Sequence, residues 1–467
     1  MQPLKNMKKK KTSFIIFLFS FCSIFSCSSC LSYSKWTVMI YIQARNNLAP
    51  YASQNLRDMA KAYGNRGVNI VAQWDQPKKK GAWRYKIGKE SITLENYAEI
   101  GNPKDPGKKL VDFVKWGIEN NPAQHYCLVL WNHGTGILNP PFGCPIRVLL
   151  NNRELVLNPR INIAGILEPE LSALYNKRRG ILFDEDNKVF IDNVDLQNSL
   201  KKITSGSILG RKLDCVGFDA CFMGMVEIAY QIRKFAKYMI ASEELELARG
   251  WDYLSLTSAL TSQLPSPKEM AKLVVKTYGD YYKGRTNYYT QSAIDLQKID
   301  QLKQSLDDMI LKIGKCIKHG TNNKSFVKAV HRARNGCIQF STRVYVDLYS
   351  FCKRLIERLT LEDRVPKGYE QVADLSRRPI NRSARKPNLR KKKKPESKHI
   401  RDLIKSAKNN MELLDQIIVS RVASDKFREA KGLSIYFPYQ NVDNAYRQSD
   451  FAKDSMWTHF LESLFRL

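Results

Sequence analysis

A histidine and a cysteine lie at the ends of two apolar runs. His133 follows HYCLVLWN and precedes Gly134, and Cys221 closes the run LDCVGFDAC. A thiol becomes a nucleophile near neutral pH when a base or a positive environment favours its thiolate form. The imidazole of His133 can supply that base, and the backbone N–H groups of Gly134 and Cys221 can hold a developing oxyanion. Together these residues suit acyl transfer, whereas His133–Gly134 alone is more typical of a turn and Cys221 alone of a core position.

The segments around both residues predict an α/β fold. Continuous apolar strands that alternate with helical patterns indicate a mainly parallel sheet covered on both faces, with ligands beyond the carboxyl ends of its strands. A helix after Cys221 would favour thiolate through its first N–H groups. Further strands are predicted at Trp36–Ala44, Val68–Trp74, Ala82–Gly88, Tyr238–Ala241 and Gly432–Pro438. Helices are predicted at Tyr51–Tyr63, Gly107–Glu119, from Met225, Lys268–Tyr282, Lys298–Ile313 and around Leu403–Val422.

The composition is that of a globular protein with an unusual charge. Of 467 residues, 43% are hydrophobic and 26% are charged, which excludes a disordered, collagen-like or multi-span membrane protein. The 76 Lys and Arg against 45 Asp and Glu give a net charge of +31, enough to suggest nucleic acid, a membrane surface or acidic partners. The positions of the basic residues along the chain therefore determine which of these partners is favoured.

Much of the charge lies in a basic segment at residues 366–401. Between Arg377 and Arg401 the only acid is Glu396. We interpret this segment as a solvated, disordered loop, with a second cleavage site and electrostatic binding to an anionic surface as alternatives. Because no aromatic residues are interleaved for base stacking, sequence-specific recognition of nucleic acid is not expected.

The N-terminus has the features of an export signal. Within residues 1–30, Lys8–Lys11 precede an apolar stretch from Ser13 that is short for a membrane span. Cys27 also matches the lipidated cysteine of a bacterial lipoprotein signal, although Phe25 replaces the usual small residue. Soluble secretion, lipid anchoring at Cys27 and an uncleaved anchor all remain open, and each predicts an exported protein.

The remaining cysteines do not form a recognisable framework. They are widely spaced and odd in number, so at least one free thiol is expected. No zinc-ligand spacing appears among the cysteines and histidines, so no metal site is predicted. These cysteines are Cys127, Cys144, Cys215, Cys221, Cys316, Cys337 and Cys352.

Seven blocks in order resemble the clostripain family of cysteine peptidases. They are WTVMIYIQARNNL, LVLWNHGTG, FDACFMGMVEIAY, ASEE, GWDY, YVDLYSF and GLSIYFP. The resemblance implies a caspase-like α/β/α sandwich with a mainly parallel central sheet and inserted loops, over residues 33–440, followed by a C-terminal helical extension at 441–467. It also implies a His133–Cys221 dyad, a thioester intermediate and cleavage of protein or peptide substrates after Arg or Lys.

Cleavage after a basic residue requires a carboxylate at the base of the specificity pocket. The family's acidic pocket residues map onto Asp219 and Asp252, and Glu243 and Glu244 are further candidates. The alternative is that Asp219 caps a turn and Asp252 is solvated. One departure is Arg45, where the family commonly has an acidic residue, which puts a polar contact near the first strand end in doubt.

The resemblance further implies maturation by cleavage between histidine and cysteine. The segment at residues 139–179 is an insertion where family members are often cut, and a longer surface loop is the alternative. Its candidate sites for self-cleavage are Arg147, Arg160, Lys177, Arg178 and Arg179.

The sequence predicts no required cofactor. Some relatives need calcium, but Asp184–Asn187 is short and reads as a turn. The alternative to an enzyme is a catalytically inactive, peptidase-like binding protein that residues 377–401 tether to an anionic surface.

Overall fold

Strands and helices alternate along the chain as the apolar runs predict. The computed structural model describes residues 33–64, 67–98, 104–138, 146–150, 153–157, 180–319, 323–362, 398–444 and 446–467. The strands are β1 (Ser34–Gln43), β2 (Val68–Asp75), β3 (Ala82–Gly88), β4 (Ser91–Ala98), β5 (Ala123–Trp131), β6 (Ile146–Leu150), β7 (Arg153–Leu157), β8 (Gly180–Asp184), β9 (Val189–Asp192), β10 (Leu213–Asp219), β11 (Ala236–Ala241), β12 (Thr290–Asp295), β13 (Tyr345–Asp347), β14 (Ile418–Ala423) and β15 (Ser434–Tyr436). The helices are α1 (Ala49–Ala62), α2 (Pro106–Asn120), α3 (Asn193–Ile203), α4 (Val226–Ile232), α5 (Tyr253–Gln263), α6 (Pro267–Tyr282), α7 (Ile299–His319), α8 (Asn323–Asn335), α9 (Leu348–Glu362), α10 (Lys398–Ile417), α11 (Asp450–Asp454) and α12 (Trp457–Phe465).

One large sheet has a parallel centre and antiparallel edges. Its strand order is β14-β12-β11-β10-β5-β1-β2-β3-β4. The strands from β11 to β2 in that order run parallel, and β3, β4, β12 and β14 add antiparallel pairs at the two sides. The parallel centre places the carboxyl ends of β5 and β10 side by side.

Hydrophobic cores on both faces of the sheet make three layers. Along β1, Met39 and Tyr41 join the core that contains residues of α2, α3 and α7, whereas Val38 and Ile40 join the core that contains residues of α1, α5 and α6. This alternation is the period of two expected for a strand buried on both faces. Residues Tyr33–Leu467 form one compact unit, and α12 contributes Trp457 to the first core.

Two predicted elements near the end of the chain are present but shorter than expected. The helix predicted around Leu403–Val422 ends at Ile417, and β14 continues it by pairing antiparallel with β12. The strand predicted at Gly432–Pro438 shortens to β15, which pairs with β13 outside the main sheet. In both places strand pairing between distant segments decides the structure, and no local pattern encodes that pairing.

Several predicted features lie outside the described residues. They are Cys27 and its signal, Cys144, the candidate cleavage residues Arg160, Lys177, Arg178 and Arg179, and residues 366–397 of the basic segment. The last residues of that segment, from Lys398, begin α10 instead of continuing a loop. No helix in the described part of the chain is both long and apolar enough to cross a membrane.

Candidate active site

The predicted reactive residues follow two neighbouring strands. β5 and β10 pair in parallel, with Asp219 opposite Trp131 at the last paired position. His133 and Cys221 come directly after these ends, and both line one small cavity that opens to solvent. The cavity is lined by Leu48, Trp131, Asn132, His133, Asp219, Ala220, Cys221, Glu246, Leu247, Ala248 and Gly250.

The loop that carries His133 is fixed by its neighbour. The Asn132 side chain donates to the backbone carbonyls of Gln43 and Phe183 and accepts from the Phe183 N–H at 3.1 Å. His133 is buried, and burial lowers the pKa of its imidazole to about 4. The ring is therefore neutral near pH 7 and can accept a proton. Its Nε2 atom lies 2.7 Å from Oδ1 of Asn47.

Cys221 lies at a sharp turn of the backbone. Its Sγ accepts a hydrogen bond from the Glu246 N–H at 3.3 Å, a contact that favours thiolate. The next residue, Phe222, has a φ of 61°, a left-handed conformation that costs a side-chain-bearing residue about 1–3 kcal/mol. The following helix begins only at Val226, five residues after Cys221, and the Glu246 N–H on a different segment donates to the thiol.

Gly134 approaches the turn at Cys221 closely. A Cβ atom at position 134 would lie 2.5 Å from the Cys221 carbonyl oxygen and 3.1 Å from Cβ of Ala220. Only glycine fits there without movement of the backbone. Tyr345 holds the same loop, since its hydroxyl donates to the Thr135 carbonyl at 2.6 Å.

Two carboxyl groups lie together in the cavity wall. Asp219 Oδ2 accepts from the Tyr253 hydroxyl at 2.8 Å and from the Trp251 N–H at 3.2 Å. Burial raises the pKa of Asp219, and burial together with the Asp219 charge raises the pKa of Glu246 well above its usual range. The pair therefore favours sharing a proton over carrying two charges.

Glu246 is a cavity residue that the sequence analysis missed. Its Oε1 accepts from the Gln291 amide at 2.7 Å, and its carboxyl also interacts with that of Asp219. Glu246 stands on the segment that follows β11, far along the chain from Asp219, and no motif joins the two. The one local signal for Glu246 is that it lies two residues after the acids of ASEE.

The other predicted pocket acids lie elsewhere. Asp252 does not line the cavity, and its side chain caps α5 by accepting from the Ser255 N–H at 3.3 Å. Glu243 accepts from the Gly432 N–H at 2.9 Å, and Glu244 accepts from the backbone of Leu245 and Ser341. These contacts join loops to one another, away from the cavity lining.

Arg45 is the centre of a buried ionic cluster beside the site. Its guanidinium lies 3.1 Å from Asp184 and 3.8 Å from Asp75. It also donates to three backbone carbonyls of the turn between β2 and β3, those of Gln76, Lys79 and Gly81. Asp184 of the predicted turn therefore holds an internal cation, and no cluster of three metal-ligating side chains occurs among the described residues.

The remaining predicted positions are placed as follows. Six cysteines are buried and form no disulfide bond in the part of the chain that the structure describes: Cys127, Cys215, Cys221, Cys316, Cys337 and Cys352. Arg147 lies in β6, one strand of a hairpin with β7 between the histidine and the cysteine.

Comparisons with known proteins agree on one family. The clostripain family model matches residues 40–140 and 170–464. Clostripain from Hathewaya histolytica is 24% identical over 475 residues, covering 88% of this chain and 76% of clostripain. A secreted C11 cysteine protease from Bacteroides thetaiotaomicron, solved with an irreversible peptide inhibitor, has a TM-score of 0.56 at 15% identity and covers 91% of this chain and 100% of its own.

A second solved structure gives the same result. The inactive zymogen of a C11 protease from Parabacteroides distasonis has a TM-score of 0.53 at 17% identity, covering 90% of this chain and 98% of its own. Both structures confirm the predicted caspase-like α/β fold. Since the family model matches most of the chain, the protein belongs to the clostripain family and is a cysteine-type peptidase.

Proposed function

We propose that the protein is an exported endopeptidase that cleaves after Arg or Lys with a His133–Cys221 dyad. The observation that carries this proposal is the cavity itself, which brings an imidazole, a thiol and a buried pair of carboxyls to adjacent strand ends. Export is supported by the N-terminal signal pattern and by the secreted relative from Bacteroides thetaiotaomicron. Lipid anchoring at Cys27 is the alternative to soluble secretion.

The first half of the reaction forms a thioester. The neutral His133 takes the proton of the Cys221 thiol, and the sulfur attacks the carbonyl carbon of the scissile peptide. The carbonyl oxygen becomes an oxyanion, which the N–H groups of Gly134 and Cys221 stabilise. When the carbonyl re-forms, the C–N bond breaks, and the imidazolium of His133 returns the proton to the leaving amine.

Hydrolysis of the thioester completes the cycle. His133 takes a proton from water, and the oxygen attacks the thioester carbonyl. Collapse of this second tetrahedral intermediate breaks the C–S bond, and the proton returns to sulfur. Gly134 supports this arrangement because its missing side chain lets its backbone lie against the turn at Cys221.

We assign the preference for Arg or Lys before the cleaved bond to Asp219 and Glu246. A buried guanidinium or ammonium needs carboxylate partners, and these two side chains line the cavity that holds Cys221. Asp219 is the acid that the family resemblance implies, and Glu246 extends the acidic wall beside it. Asp252 is not assigned a direct contact, because its carboxyl caps α5.

A fluorogenic peptide assay tests the proposal. Substrates that end in Arg, Lys, Leu or Glu before the reporter are compared on the wild type, Cys221→Ala and His133→Ala. We expect turnover of the Arg and Lys substrates only, and loss of that turnover in both variants. If the folded wild type is inactive on all four substrates but binds anionic vesicles in a salt-sensitive way, the tethered binding protein is the correct function.

Self-cleavage between His133 and Cys221 is the proposed activation step. The basic candidates Arg147, Arg160 and Lys177–Arg179 fit the proposed specificity, and a zymogen is known for the relative from Parabacteroides distasonis. Sequencing of new N-termini should find cleavage after one of these residues in the wild type but not in Cys221→Ala. Identical fragments in both proteins would assign the cleavage to another protease.

We also propose that turnover needs no metal cofactor. Asp184, which lies in the short acidic segment considered for calcium, is already paired with the Arg45 guanidinium. Activity should therefore be the same with EDTA and with added calcium. A calcium requirement of the wild type would contradict this proposal.

A further inference from the structure

The hydrogen bond between His133 and Asn47 fixes the proton positions of the imidazole. Oδ1 of Asn47 lies 2.7 Å from Nε2 of His133, and an amide oxygen can only accept. Nε2 therefore carries the hydrogen. Because burial keeps the ring neutral at pH 7, the lone pair is then on Nδ1, which is the atom left to take a proton from a thiol.

The loop that carries Asn47 is anchored by its neighbours. Arg45 is fixed by its ion pair with Asp184 and its three carbonyl acceptors, as described above. Asn46 donates to the Phe183 carbonyl at 2.9 Å and accepts from the N–H of Leu48 at 2.9 Å. These contacts hold the backbone on both sides of Asn47 between β1 and α1.

Asn47 itself contributes little to the packing of this loop. It is exposed, in contrast to the buried Arg45, Asn46 and Leu48 around it. Its side-chain amide makes the hydrogen bond to His133 described above. An exposed amide aimed at a buried imidazole from a rigid loop points to a role toward that imidazole.

We propose that Asn47 is a positioning residue that orients His133 and selects its Nε2–H tautomer for proton transfer at Nδ1. The inference rests on the proposed function, in which His133 is the base for Cys221. The active site then consists of three side chains, Asn47, His133 and Cys221, and Asn47 acts only through His133.

Kinetics of Asn47→Ala and Asn47→Asp test this role, with Asn198→Ala as the control because Asn198 is an exposed asparagine away from the cavity. Asn47→Ala should lower kcat for an Arg substrate about 10- to 100-fold, since the tautomer is no longer selected. KM should change by less than about twofold, because Asn47 is not in the pocket wall. Melting temperatures should match the control.

The Asn47→Asp variant distinguishes a role in orienting the His133 ring from a general disruption of the loop. Its carboxylate oxygen accepts the same Nε2–H, so most of kcat should return. Its charge also favours imidazolium, so the acid limb of the pH–rate profile should move upward by about one unit. The other titratable groups of the cavity, Cys221, Asp219 and Glu246, are unchanged, so the shift belongs to His133.

The rate of Cys221 alkylation by iodoacetamide across pH gives a readout that needs no substrate. Slower alkylation in Asn47→Ala, with a shifted pH profile in Asn47→Asp, supports the inference even if the Arg and Lys specificity proves wrong. The inference is overturned if Asn47→Ala behaves like Asn198→Ala in rate and pH profile. It is equally overturned if Asn47→Ala and Asn47→Asp lose the same activity with no pH shift.

Discussion

Two pairs of carboxyl groups are buried in the protein, and their surroundings differ. Asp219 and Glu246 line the cavity that also holds Cys221. Glu243 and Asp347 interact with each other away from that cavity lining. Burial raises the pKa of a carboxyl in each pair, well above its usual range for Glu246 and to about 6 for Asp347.

The interior pair has partners that explain its presence. Asp347 accepts from the N–H groups of Ser350 at 2.6 Å and Lys431 at 2.7 Å, and Glu243 accepts from Gly432 at 2.9 Å. Its carboxyls therefore join α9, the β11 end and the segment before β15. The comparison teaches that a raised pKa marks burial, whereas a place in the lining of the cavity that holds Cys221 marks a candidate binding site.

The largest expected difference is between Asp219→Asn and Asp347→Asn. Asp219→Asn should lower kcat/KM for an Arg substrate about 100-fold or more, because a buried cation loses its charge partner. Asp347→Asn should leave kcat/KM of the folded enzyme unchanged but cost about 1–3 kcal/mol of unfolding free energy. Peptide kinetics and urea unfolding measure both. Equal loss of activity in the two variants would remove the distinction between the pairs.

The pH dependence of stability should report the interior pair. Because the folded pKa of Asp347 is about 6 and its ordinary value is 3.8, the folded state holds the proton more tightly. This contributes about 3 kcal/mol below pH 3.8, and the contribution is lost as pH rises to 6. Urea unfolding of the wild type minus that of Asp347→Asn should follow this curve. A difference that is flat with pH would argue against the shifted pKa.

The Glu246→Gln variant tests whether Asp219 and Glu246 share a proton in the empty pocket. In the empty pocket the pair holds a proton that a cationic side chain must displace, so KM for an Arg substrate should fall as pH rises. Glu246→Gln should abolish this trend and raise KM at high pH about tenfold. Glu244→Gln is the control, since Glu244 is equally buried but outside the cavity lining. A trend that survives in Glu246→Gln would assign the proton to another group.

The smallest effect is expected at the other predicted pocket acid. Asp252→Ala should cost about 1 kcal/mol of unfolding free energy, because α5 loses its N-cap. Its kcat/KM for Arg and Lys substrates should stay within about twofold of the wild type. Thermal unfolding and the peptide assay check this. A large loss of turnover of the Arg substrate would instead indicate that Asp252 contacts the substrate.

Local patterns predicted the elements that position the site. The runs before His133 and Cys221 are strands because they are apolar throughout, and parallel pairing then brings their ends together. Asp219 was named through the family resemblance, which maps a pocket acid onto the position two residues before Cys221. Each of these inferences needed only residues that are close along the chain.

The rest of the site depends on contacts between distant segments. Glu246 and Asn47 reach the site from loops after β11 and β1, and their residue types carry no signal at those positions. Asp252 was assigned to the pocket from its motif, but the start of α5 gives its carboxyl a local donor. The same limit explains β14, where pairing with β12 overrides a helical pattern.

The order of the strands has a consequence for a molecule cut between His133 and Cys221. Every strand up to β5 would belong to the first fragment and every strand from β10 onward to the second, so the break would coincide with one seam in the sheet. Backbone pairing across that seam and the shared cores would keep the halves joined without a covalent link. Such a two-chain enzyme would migrate as one particle in gel filtration and separate into two bands only after denaturation.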